Sequence, residues 1–64
     1  MPVIRVEMLK GRTREQKRAI AKELTDGFIK TAGGKPEGVT IIFAEVEKED
    51  WAIAGQLVAD RTAT

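Results

Sequence analysis

Residues 1–18 read MPVIRVEMLKGRTREQKR, and a change of pattern inside this stretch decides the fold. From Val3 to Leu9 the chain alternates. Ile4, Val6 and Met8 fall on one face, and Val3, Arg5, Glu7 and Leu9 fall on the other. A period of two is that of a strand. Lys10–Gly11–Arg12 breaks the strand. Thr13 then stands three residues ahead of Gln16, the spacing of a capping box in which each side chain satisfies an amide near a helix start. Beyond it Ile20, Leu24 and Phe28 recur every four residues, flanked by Ala21, Gly27 and Thr31, while Glu15, Lys22 and Asp26 lie near the opposite side. That spacing predicts a helix ending near Ala32. Gly33–Gly34 supplies a left-handed cap rather than a phosphate cradle, since it follows a helix instead of opening one, and Pro36 comes shortly after.

Working outward, Gly38–Val46 reads GVTIIFAEV and is a second strand, apolar on both faces for most of its length. One face can cover the helix stripe, and nothing in the chain is left to cover the other. A strand, a helix and a strand with a crossover of this length form a right-handed βαβ unit with parallel strands. The tail, EKEDWAIAGQLVADRTAT, is charged and then small and apolar, which suits a turn and a short hairpin or edge strand. The expectation is an α/β fold in one domain covering residues 1–64, completed by association with other copies.

Composition points the same way. A chain of 64 residues buries only about 60% of its unfolded surface, which leaves it marginal alone. Cys 0 rules out disulfides and thiolate metal sites, and His 0 removes the commonest metal ligand and the commonest general base. No carboxylate loop of the DxDxDG type is present, so neither a metal nor another cofactor is expected. Association is what remains to add stability. Lys+Arg 11 against Asp+Glu 10 gives a net charge of +1, no reason to expect a nucleic-acid partner. The basic run KGRTREQKR reads as a solvated loop and first helical turn. No charged start followed by an apolar run marks a signal peptide, and no stretch approaches the roughly 20 apolar residues of a membrane span. The expected compartment is the cytoplasm.

Pro2 has two readings. Proline is tolerated at the first residue of a strand. It also follows a methionine that is commonly trimmed before a small residue, and trimming would make Pro2 a free secondary amine.

MPVIRVEMLKGRTREQKR and EVEKEDWAIAGQ, at their present separation, resemble the 4-oxalocrotonate tautomerase family of the tautomerase superfamily. The resemblance covers nearly the whole chain. It implies a βαβ fold, a homohexamer built as three dimers, and keto–enol tautomerisation of a 2-oxo acid or its dienol without a cofactor. It further implies that Pro2 is the catalytic residue. Arg12, in LKGRT, matches the family's loop arginine. Trp51 stands where the family usually has phenylalanine. Thr40, in EGVTIIF, stands where the best-known members have a second arginine that binds and polarises the substrate.

The residues would support such chemistry. A tautomerase needs one base that takes and returns a proton near neutral pH. A proline amine is ordinarily too basic, and disfavouring its cation by roughly two pKa units takes about 2.7 kcal/mol. An apolar wall from Leu9, Trp51 and Ile53 and positive charge from Arg12 are the expected sources. Arg12 would also fork onto a substrate carboxylate. Met8 and Ile42 read as core. Thr40 offers a neutral hydroxyl where a cation would stabilise developing charge. Either Arg5 or Lys48 substitutes, or the substrate carries a single carboxylate, which an aryl or alkyl 2-oxo acid would fit. Two alternatives stay open: a promiscuous lyase or carbon–carbon bond former using the proline amine as nucleophile, and a non-catalytic oligomer that keeps the architecture.

Overall fold

A computed structural model describes residues 1–61; residues 62–64, the end of the expected tail, lie outside the described residues. Strand β1 (Val3–Leu9) is followed by helix α1 (Arg14–Ala32) and then by strand β2 (Thr40–Val46). β1 and β2 pair in parallel, with Val3 opposite Thr40, Arg5 opposite Ile42 and Leu9 opposite Val46. This is the βαβ unit that the change of period predicts. Two short strands, β3 (Ala52–Ile53) and β4 (Gln56–Leu57), then pair antiparallel. The tail is therefore a hairpin and not an edge strand of the parallel sheet.

Local chemistry sets the boundaries. The capping box forms in both directions: Gln16 N–H donates to Thr13 Oγ1 at 3.1 Å and Thr13 N–H donates to Gln16 Oε1 at 2.9 Å. Gly33 closes α1 by donating to the Ile29 carbonyl at 2.8 Å. Its φ of 84° with ψ of −174° is a glycine-only extended conformation, not the left-handed helical cap the sequence suggests. β2 begins at Thr40, two residues later than expected, because Pro36–Gly38 takes a 3-10 turn held by Gly38 N–H to Lys35 O and Val39 N–H to Pro36 O. The hairpin loop is Ala54–Gly55, with φ of 54° and 82°. Two consecutive positive φ values give the turn whose twist matches that of paired strands.

The side of α1 that is withdrawn from solvent carries Lys17, Ile20, Ala21, Leu24, Thr25, Phe28 and Ile29. Gly27 and Thr31, expected beside the stripe, are exposed. The helix is thus rolled so that Lys17 and Thr25 join the inward arc. Ile4, Val6 and Met8 of β1 and Ile41 and Phe43 of β2 share the alternate positions withdrawn from solvent. Among the described residues, however, none is fully buried. The other face of the sheet is open: Val3 is 62% exposed and Ile42 is 41% exposed. Ile42 is therefore a surface residue of the single chain, not the core residue the pattern suggests. Ile53 and Leu57 on the hairpin are also exposed. A chain whose apolar side chains all stay partly exposed gains only part of the main favourable contribution to folding.

Candidate active site

The parallel register divides the five candidate residues between the two ends of the sheet. Pro2 precedes β1, and its carbonyl accepts the Thr40 backbone N–H at 3.0 Å. Pro2 is half-buried and Thr40 is exposed, both at the N-terminal end of their strands. Met1, beyond Pro2, is 94% exposed. The Pro2 nitrogen takes no part in the ladder, as no proline nitrogen preceded by another residue can.

Leu9 and Arg12 lie at the opposite end. Pro2 and Leu9 are seven residues apart along an extended strand, so their Cα atoms are separated by roughly 23 Å. An arginine side chain cannot span that. The chain therefore brings Pro2 to Thr40 but does not bring Leu9 or Arg12 to Pro2. Trp51 follows the C-terminal end of β2 through the turn Lys48–Asp50 and is half-buried. Its carbonyl accepts the Val58 N–H at 2.8 Å, closing the hairpin. Of the two other cations weighed, Arg5 lies in β1 on the open face, with Nε 3.3 Å from Glu7 Oε2. Lys48 lies beyond the far end of β2, where a shallow groove is lined by Lys10, Glu47, Lys48, Glu49 and Ala59.

At that same far end the sequence reading missed a pair. Lys17 Nζ lies 2.8 Å from Glu45 Oε1, joining α1 to β2. Their side chains are 30% and 25% exposed, whereas those of the other described ion pairs are at least 54% exposed. The hydrogen bond from Lys17 holds the Glu45 carboxyl below its ordinary range against partial burial, with the Gly11 backbone N–H and Lys10 adding to the effect. The signal was present in the sequence. Glu45 occupies the same alternation as Ile41 and Phe43, which directs its carboxylate to the helix side of the sheet. Among the described residues no group of carboxylates is placed to hold a metal ion, and no helix is long and apolar enough to cross a membrane.

The family model for the tautomerase enzymes matches residues 2–61, nearly the whole chain. The chain belongs to the tautomerase family. It is 37% identical to 2-hydroxymuconate tautomerase of Bacillus subtilis over 60 residues, covering 94% of this chain and 97% of that protein. Its fold superposes with a TM-score of 0.92 on TomN, a 4-oxalocrotonate tautomerase homologue of the tomaymycin biosynthetic pathway, at 36% identity and with 98% of this chain and 97% of that one covered. A heterohexamer 4-oxalocrotonate tautomerase from Chloroflexus aurantiacus gives a TM-score of 0.89 at 30% identity, covering 94% of this chain and 97% of that one. This tautomerase is accordingly an isomerase with a parallel βαβ fold and a C-terminal hairpin.

Proposed function

We propose that this tautomerase interconverts the enol and keto forms of a 2-oxo acid or its dienol, with Pro2 as the base once Met1 is removed. The proline nitrogen takes the hydroxyl proton of the enol. The freed O–H electron pair forms the carbonyl, and the electron pair of the carbon–carbon double bond takes a proton from the prolinium. The base is returned unchanged and no cofactor is consumed.

The placement of Pro2 carries this reading. Its carbonyl is pinned by Thr40 N–H at 3.0 Å, and the one residue ahead of it is 94% exposed. Trimming Met1 would therefore leave a fixed secondary amine without disturbing the ladder. In this reading Arg12 forks onto the substrate carboxylate, Trp51 and Leu9 form an apolar wall that lowers the basicity of the amine, and Thr40 lies beside the reacting end. Leu9 stands roughly 23 Å from Pro2 within one chain and Arg12 follows in the loop beyond it, so the site is composite, with Pro2 of one copy meeting the loop of another. The absence of fully buried described residues and the open sheet face support self-association. A homohexamer of three dimers fits both demands, and the heterohexameric Chloroflexus relative favours six subunits. The whole chain acts as one cytoplasmic domain.

Two measurements test the reading together. Intact mass should lack one methionine, and Pro2→Ala should turn over a 2-oxo acid enol at least about 100-fold more slowly. Full activity with Met1 retained, or an active Pro2→Ala, would defeat it.

A further inference from the structure

We infer that Glu45 is a positioning residue that sets the place of the Arg12 loop. The inference rests on the proposed role of Arg12 and extends it to a residue that touches no substrate.

Lys10–Gly11–Arg12 spans the gap between the end of β1 and the start of α1. One end is fixed by Lys10 N–H donating to the Val46 carbonyl at 2.9 Å. The other runs into the Thr13 cap, and Lys17, one turn further on, is clamped to Glu45 at 2.8 Å. Glu45 directly precedes Val46 in β2. Two adjacent residues of one strand therefore hold both sides of the three-residue loop. Gly11 has φ of +139°, a conformation that other residues rarely adopt, so the turn of the loop depends on glycine.

The pair is partly open to solvent, so its charges add little to stability by themselves. What the pair supplies is a directed contact between helix start and sheet end. Arg12, between the two fixed points, inherits its position from them. A guanidinium fork on a carboxylate depends on planar alignment, so small displacements weaken it.

The assembled enzyme and a 2-oxo acid enol provide the test. Glu45→Ala should raise KM about tenfold with kcat within about twofold, because a grip shared by ground and transition states is what is lost. In an Arg12→Ala background the same substitution should add little to KM, since residues acting as one unit do not add. The reversed pair, Lys17→Glu with Glu45→Lys, should recover KM along with Tm, because it restores the contact between helix start and sheet end. If Glu45→Ala fails to assemble, Glu45→Gln takes its place, with a smaller rise in KM that again depends on Arg12. An unchanged KM, an equal rise with and without Arg12, or a reversed pair that restores Tm without KM would each overturn the inference. Failure of the underlying reading has a separate signature: Arg12→Ala alone would then leave KM at the wild-type value whatever the Glu45 variants do.

Discussion

Pro2 and Thr40 are neighbours across the parallel ladder, joined by the Thr40 N–H to Pro2 carbonyl hydrogen bond of 3.0 Å. The hydrogen bond uses the only backbone hydrogen-bonding group that an internal proline has, its carbonyl. The first expected outcome follows. Forcing retention of Met1 should leave the fold of the chain unchanged, because the ladder uses the Pro2 carbonyl and not its nitrogen. It should nonetheless lower tautomerisation as severely as Pro2→Ala, since an amide nitrogen has no basic lone pair. Circular dichroism, sedimentation and turnover on the same sample separate the two effects.

The open sheet face makes a prediction about assembly. Ile42 is 41% exposed in the single chain. Were that its final environment, Ile42→Asp would change stability by only about 0.5 kcal/mol, as surface substitutions do. Placed in an interface it would bury an unpaired charge instead. Ile42→Asp should therefore abolish both assembly and folding. Sedimentation of the wild type should show no folded monomer at micromolar concentration. A folded, monomeric Ile42→Asp chain would contradict this.

The architecture was legible because the period-two run Val3–Leu9 and the period-four run Ile20–Phe28 cannot be confused, and because Thr13 with Gln16 has few readings other than a cap. The hairpin was less legible. Its strands have two residues each, and its turn uses Ala54 at a positive φ where glycine would have announced it. The candidate site was legible as a set of residue types but not as a place. Pro2 and Arg12 are ten residues apart in sequence, yet an extended strand separates them in space. No pattern within one chain reveals which copy faces which. Lys17 was hidden in a basic run that reads as solvated, and its partner Glu45 lies 28 residues further on in another element.

The hairpin turn offers a stability test. Ala54 sits at φ 54°, a left-handed conformation that places Cβ too close to the following carbonyl oxygen. This costs a non-glycine residue about 1 kcal/mol. Ala54→Gly should raise stability by up to that amount, less the extra chain entropy glycine carries when unfolded. A higher Tm at unchanged assembly is the expected result, and a lower one would mean that the Ala54 methyl group makes a contact worth more than the strain.

Acid should weaken the Glu45 clamp. The Lys17 hydrogen bond holds the folded-state carboxyl below its ordinary value. Its contribution to stability is therefore complete above the unfolded value and disappears as pH falls through the lower, folded one. Urea unfolding of the wild type and of Glu45→Gln should differ most near neutral pH, and the two midpoints should converge only once the pH has fallen below the ordinary carboxyl range. A difference that persisted or widened in acid would show that the pair does not stabilise through its charge.

Thr40 bears on which substrates are accepted. In the proposed site Arg12 holds one carboxylate, and the position paired with Val3, next to the Pro2 carbonyl, presents a neutral hydroxyl. A substrate with two carboxylates would bring its second charge out of water without a cation to meet it, and an unpaired charge in a closed site is penalised heavily. A monocarboxylate with an apolar tail would gain from Trp51 and Leu9 instead. The expected order of kcat/KM is an aryl or alkyl 2-oxo acid enol above a muconate-type diacid, and Thr40→Arg should narrow or reverse it. Because the quantity compared is a ratio of transition-state binding energies within each protein, differences in active fraction cancel. Wild type preferring the diacid would mean that a cation from elsewhere serves the second carboxylate. Arg5 is then the residue to substitute, since it lies in β1 on the open face, two residues beyond the partner of Thr40, and its pairing with Glu7 is exposed enough to exchange for a substrate. Loss of the diacid preference in Arg5→Gln, with the monoacid rate unchanged, would identify it.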